Sequence, residues 1–356
     1  MKGKKRMKQK EKLFSVIFAI IAAVFYAINT PFSKILLENV SPTFMAAFLY
    51  LGAGLGVAVM YLFQYKNEES AERIGREDGI YVLGMILLDI AAPIFLMIGI
   101  SIGTASNASL LGNFEIVVTT LIALLMFKET VTKRLWIAIG FITFSSILLS
   151  FEGEGSFHFS LGSFFIILAT CCWGLENNCT RNISDKSTYQ IVSLKGIFSG
   201  GGSFLIALFL NETIPDIKDI VLVMLLGFIS YGLSIFFYIR AQRGLGAAKT
   251  SAYYAIAPFV GAILSFIFNG EILTPMYFVS LIFMIIGTVY IVRDTIIKTH
   301  SHIHTHVITH THDGSTHTHI ITHGHLHDHF GDEEKHSHKH TRDIHKLEHE
   351  KNSNDF

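Results

Sequence analysis

The chain has 356 residues, 51% of them hydrophobic and only 16% charged, and its 28 basic and 28 acidic side chains cancel. Soluble domains carry about 25% charge, so this composition excludes an ordinary water-soluble globule and points to a lipid environment. A net charge of zero selects no partner, because a membrane would hold the charges apart, and nothing suggests nucleic acid.

The amino end, residues 1–12, carries seven Lys/Arg. Beyond it run apolar stretches long enough to cross a bilayer, which takes about 20 residues: 13–34, 41–64, 79–102, 105–127, 133–151, 159–180, 189–210, 217–240, 247–268 and 275–292. The predicted fold class is therefore an all-α integral membrane protein of about ten transmembrane helices. The first stretch is too long for a cleaved signal and lacks a small-residue cleavage site, so it reads as retained. With the amino end in the cytoplasm, the inside connections hold Lys66, Arg73, Arg76, Lys128, Lys133, Arg134, Arg181, Lys186, Arg240, Arg243, Lys249, Arg293 and Lys298. The outside connections hold Lys34 and Lys218 alone. This bias follows the positive-inside rule and places both termini in the cytoplasm of a cell-membrane protein.

The chain also repeats itself. Ala105-Ser106-Asn107-Ala108-Ser109 leads to Phe127-Lys128-Glu129-Thr130-Val131-Thr132, and Ala247-Ala248-Lys249-Thr250-Ser251 leads to Phe268-Asn269-Gly270-Glu271-Ile272-Leu273-Thr274. The offset (105 to 247, 129 to 271) spans an odd number of hydrophobic stretches, so the copies must have opposite topology. Tyr26-Ala27-Ile28-Asn29 with Lys34 pairs similarly with Trp173-Gly174-Leu175-Glu176 with Arg181. Inverted repeats of this kind place a substrate site between the halves, near the bilayer midplane.

An acid in mid-membrane costs about 2.5–3.5 kcal/mol on insertion scales, so it faces a partner or a cavity. Asp89 and Glu115 sit near the centres of their stretches, and Asn29 and Glu176 occupy equivalent places in the two halves. Asn107, Asn113, Asn177 and Asn178 add polar groups on neighbouring turns, and Tyr231, Tyr253 and Tyr254 are candidates to line the second half. The expected substrate-binding set is Asn29, Asp89, Glu115, Glu176, Asn113 and Tyr254; the competing reading is interhelical hydrogen bonding that only orients helices. Glu129 and Glu271, each just before a Thr that can cap the next helix, read as structural. Gly52, Gly54 and Gly56, and the run Gly200–Gly202, allow close helix approach, while Pro31, Pro93 and Pro258 interrupt three stretches. Cys171, Cys172 and Cys179 share one stretch and read as free thiols.

No P-loop, nucleophile elbow, zinc-protease motif or dinucleotide fingerprint occurs, so no enzyme is predicted. The two aromatic–small–x–polar segments and the Ala257-Pro258-Phe259-Val260 … Gly270-Glu271 segment resemble the drug/metabolite transporter superfamily, EamA type. The first copy, Glu115-Ile116 … Lys128-Glu129, lacks the proline, and Glu176 stands where that pattern has an amide. The resemblance spans 13–293 and implies two five-helix inverted repeats, here 13–151 and 159–293, moving a small metabolite by alternating access as monomer or homodimer.

Residues 294–356 form a His-rich tail, expected to be disordered and cytoplasmic. All but one of the 18 histidines lie there, between His300 and His349. His300, His302, His304 and His306, with His323, His325, His327 and His329, are candidate ligands for Zn, Ni, Co or Cu, because three or four imidazoles on a pliable chain can converge on such an ion. No cofactor is required. Two alternatives stay open: a transition-metal carrier that gathers its cargo with the tail, and a metal-responsive membrane receptor that transports nothing.

Overall fold

A computed structural model describes residues 2–64, 73–127, 132–152, 158–183, 186–245, 250, 253–271, 273–312 and 315–330. Glu129, Ala247–Lys249, Ser251 and the cluster His336–His340 lie outside the described residues. Contacts divide the chain into two compact units, Met1–Thr295 and Ile296–Phe356.

Among the described residues the first unit is helical apart from a two-residue ladder. Helix α1 (Lys2–Ala27) gives way at Ile28 to α2 (Asn29–Leu36), with Pro31 in the first turn, where a missing N–H costs nothing. Helices α3 (Pro42–Gln64) and α4 (Gly79–Ile102) follow, then α5 (Ala105–Leu111) and α6 (Phe114–Phe127), then α7 (Lys133–Leu149). Strands β1 (Phe151–Glu152) and β2 (His158–Phe159) pair in antiparallel fashion. Helix α8 (Leu161–Arg181) leads to α9 (Thr188–Leu194), a π-helical turn Lys195–Ser199 and α10 (Gly200–Phe209). Helix α11 (Ile217–Gly227), a second π segment Phe228–Leu233, α12 (Ser234–Leu245), α13 (Ala257–Asn269) and α14 (Pro275–Ile296) complete the unit.

Six stretches among the described residues are long and apolar enough to cross a membrane: Leu13–Leu36, Pro42–Phe63, Gly79–Ile102, Thr188–Phe209, Ile217–Ala241 and Pro275–Asp294. The other predicted crossings differ for visible reasons. Residues 105–127 split into α5 and α6 around a turn at Gly112–Asn113, while α7 and α13 have 17 and 13 residues. In α8, the run Glu176-Asn177-Asn178 lowers the mean hydropathy of the carboxyl half.

The repeat is visible in the backbone. The turn Gly112–Asn113 before α6 has its counterpart in the turn Ala255–Ile256 before α13 (112 to 255, 113 to 256). Thr132 caps α7 by accepting from the Leu135 amide, and Thr274 caps α14 by accepting from the Tyr277 amide, as the turn sequences predict. Gly270 adopts φ +61°, the left-handed conformation that ends a helix.

Helix α3 is the axis of the unit, packed through glycines. A Cβ on Gly54 would lie 2.6 Å from the Ile197 amide nitrogen, and one on Gly196 would lie 2.4 Å from Gly54 Cα. Backbone thus meets backbone where α3 crosses the first π segment, the arrangement small residues permit in lipid. Outward-facing apolar side chains such as Phe63, Phe209 and Leu62 remain exposed, as suits a hydrocarbon environment.

In the second unit, β3 (Ile297–His312) and β4 (Ser315–Phe330) pair in register from Ile297↔Phe330 to His312↔Ser315. This corrects the expectation of a disordered tail over these residues. Thr, Ile and Val recur through both strands, and Asp313-Gly314 between them is a favoured hairpin-turn sequence, so β-branched strand preference outweighs the polar composition. His300, His302 and His304 fall opposite His327, His325 and His323.

Candidate functional site

A cavity of about 140 Å³ lies in the middle of the helical unit. The first half contributes Tyr26, Tyr50, Ala53 and Glu115 to its wall. The second half contributes Trp173, Glu176, Asn177, Val192, Lys195, Gly196, Tyr231 and Ile235. Local structure explains how each polar group arrives there. Glu115 is in the first turn of α6, immediately after the break, where a helix amino terminus favours negative charge. Lys195 opens the π-helical turn, a feature frequent at functional sites because it alters where the next side chains project.

Lys195 is the electrostatic centre. Its ammonium lies 3.1 Å from Asp89 Oδ2 and 3.0 Å from Glu176 Oε1. Asp89 is fully buried and Glu176 only 2% exposed, whereas the lysine side chain is 22% exposed, toward the cavity. Asp89 Oδ1 also accepts from the Tyr50 hydroxyl at 3.1 Å, and Tyr50 in turn accepts from Trp173 Nε1 at 3.3 Å. The Thr180 hydroxyl donates to Glu176 Oε1. Glu115 is held differently: its Oε1 accepts from Asn177 Nδ2 at 2.6 Å, and no cationic side chain among the described residues forms an ion pair with it.

The six expected site residues fall in two layers. Glu115 and Glu176 line the cavity. Asp89 stands behind it, joined through Lys195 and Tyr50. Asn29 is buried behind Tyr231, donating to that hydroxyl at 3.2 Å and accepting from Ser33 at 3.2 Å. Tyr254 packs on the ring of Tyr26, centroids 5.8 Å apart, and shares a hydrogen bond with Ser234. Asn113 is buried in the turn before α6, off the wall, and its Nδ2 has no hydrogen-bond partner among the described residues. Sequence reasoning missed Lys195 and Tyr50. Lys195 carried a readable signal, a single charge inside the apolar stretch 189–210.

The two ends of the cavity differ. A small apolar void continues from it along Val192 and Ile235 to Met60, Tyr189 and Ile239. At the opposite end, polar contacts tie helix termini together. Lys34 Nζ donates to the carbonyls of Ile100, Ser101 and Gly103 at 2.7, 3.1 and 2.7 Å, closing the carboxyl end of α4. Glu271 accepts from the Ala105 and Ser106 amides at 2.6 and 2.9 Å, closing the amino end of α5. Glu212 Oε2 accepts from the Ser41 hydroxyl at 2.6 Å and the Phe44 amide at 3.2 Å. Glu271, read as structural, is thus a cross-half tie.

A larger apolar void of about 430 Å³ lies between α13 and α14, but no acid or base lines it. No group of three or more His, Cys, Asp or Glu arranged to hold a metal occurs among the described residues. The side chains of the predicted tail ligands are not among those described.

Comparison with known proteins places this geometry in context. Residues 13–151 and 160–293 each match the EamA-like transporter family. A protein of Methanothermobacter thermautotrophicus named "Uncharacterized transporter" is 27% identical over 296 residues, covering 78% of this chain and 85% of that protein. "Uncharacterized transporter YyaM" of Bacillus subtilis is 23% identical over 265 residues, covering 71% and 82%. A crystal structure at 14% identity superposes with a TM-score of 0.58 over 78% of this chain and 94% of its own, a likeness of fold.

Proposed function

The chain belongs to the EamA-like transporter family, and we propose that it moves a small metabolite across the cell membrane by alternating access, without enzymatic chemistry. The observation that carries this reading is the cavity whose wall is shared by the two family repeats. Inverted-repeat transporters keep their substrate at such a seam. On this reading ten crossings are made, the broken and shorter helices included, with both termini in the cytoplasm. Rocking of one half against the other would expose the cavity to each side in turn, and the cross-half ties of Glu271 and Glu212 are the contacts that must break.

Size bounds the cargo. A dry engineered cavity of about 150 Å³ admits benzene, so a void of this volume takes a solute of roughly six to ten heavy atoms, far smaller than a nucleotide sugar. The His-rich tail, on the same reading, binds transition-metal ions and modulates or buffers; it does not supply the carrier's cargo, because the cavity holds oxygens and one ammonium, a poor match for soft metals. The test is flux in proteoliposomes. Full-length protein is expected to drive uptake of at least one small charged metabolite from a broad panel, with Glu115→Gln abolishing it. No flux of any panel member would overturn the transport reading and favour a receptor.

A further inference from the structure

We infer that the cargo of this cavity is a small organic cation, an ammonium or quaternary amine of about benzene size, with Glu115 as its counter-charge among the aromatic side chains of the wall. The inference rests on the transport reading above and adds the sign and class of the cargo.

Charge balance at the wall favours a cation. Asp89, Glu176 and Glu115 place three carboxylates at or just behind the wall, against one ammonium, Lys195. Charge taken out of water must be neutralised, so excess negative charge at mid-membrane calls for a cation or for protons. An anionic cargo would add to the excess.

Lys195 is already engaged. An ammonium has three donors. Two are directed at acids 3.0 and 3.1 Å away. The third is left for the cavity, but a cargo carboxylate taking it would set four carboxylates (Asp89, Glu176, Glu115 and its own) against one ammonium. Lys195 is therefore an internal counter-ion that sets the shape and charge of the wall, and Glu115, held by an amide alone, is the acid left for the cargo.

The wall is rich in aromatic rings. Tyr26, Tyr50, Trp173 and Tyr231 surround the space, and Tyr231 lies 5.9 Å from Tyr26 and 5.5 Å from Tyr50, centroid to centroid. Aromatic groups beside a carboxylate suit an organic ammonium, which gains from ring faces as well as from charge. A bare Mg²⁺ or Ca²⁺ wants about six to eight oxygen ligands, and two of the three carboxylates here are already committed.

An isosteric series tests the assignment on the full-length protein in nanodiscs by titration calorimetry: choline, its uncharged carbon isostere neohexanol, and the anion tert-butylacetate. Choline is expected to bind about tenfold or more tightly than neohexanol, with tert-butylacetate weakest. Glu115→Gln should erase the preference for choline, and Glu115→Asp, which keeps the charge, should retain it and guard against a folding artefact. Equal or tighter binding of neohexanol or tert-butylacetate overturns the assignment, as does failure of all three to bind. Each of those results leaves the transport reading standing, since only absence of flux across the metabolite panel removes it.

Discussion

Replacing Lys195 with Met isolates the role of the buried ion cluster. The substitution conserves volume but leaves Asp89, fully buried, and Glu176, 2% exposed, without a cation within ion-pair distance among the described residues. Removing one partner of a buried ion pair costs about 3–5 kcal/mol, and the ammonium's exposure to the cavity argues for the lower end. At roughly 2 °C per kcal/mol for a large domain, the melting temperature should fall by about 6–10 °C. The same principle predicts a rescue. Lys195→Met combined with Asp89→Asn and Glu176→Gln removes the orphaned charges as well, and neutral replacements of whole buried ion clusters are often tolerated. The triple variant should therefore melt well above the single one while failing to transport. Differential scanning fluorimetry in detergent or nanodiscs reads both. A single variant within about 2 °C of the parent, or a triple variant no more stable than the single, would refute the view that Lys195 balances two buried acids.

Three further outcomes follow from the same structure. Glu115→Gln should abolish transport with little change in melting temperature, whereas Glu271→Gln should retain most flux but lose about 1 kcal/mol, because it weakens a charge-assisted tie to the Ala105 and Ser106 amides; initial uptake rates and melting curves separate the two. Gly196→Ala should fail to fold or melt far lower, since its Cβ would lie 2.4 Å from Gly54 Cα, while Gly201→Ala, with nothing within 4 Å, should be neutral; yield and monodispersity on size-exclusion chromatography report the difference. Deleting residues 297–356 should remove Ni²⁺ or Zn²⁺ binding in calorimetry and leave metabolite flux unchanged, and loss of metal uptake by cells carrying the deletion would revive the metal-carrier alternative.

Much of this was legible in the sequence because the signals repeat. The paired motifs around 105 and 247 announced two halves, and nearly the same offset, one residue longer, reappears in the turns at 112–113 and 255–256. The caps at Thr132 and Thr274 were readable because capping depends on local residue types. Glu115 and Glu176 could be found because acids in apolar stretches are costly and stand out. Lys195 carried the same kind of signal, a lone charge in an apolar stretch, and went unread; its π-helical setting has no signature in a period of 3.6 residues. Asn29 and Tyr254 are polar and buried like the wall residues, but they support Tyr231 and Tyr26 from behind, a distinction of layer that only packing defines. The tail misled through composition: its polar content suggests disorder, while the alternation of His with Thr, Ile and Val fits a strand.

Alternating access requires the space between the halves to open in turn to each side of the membrane. Ala53 lines that space, and the three native cysteines, Cys171, Cys172 and Cys179, are free thiols that can be replaced by Ser or Ala to leave a silent background. A single cysteine at Ala53→Cys, treated with a membrane-impermeant thiol reagent in right-side-out and in inverted vesicles, measures access from each face. Labelling is expected from both faces, slowed by bound cargo. Labelling from one face only, unchanged under every cargo and gradient applied, would contradict alternating access.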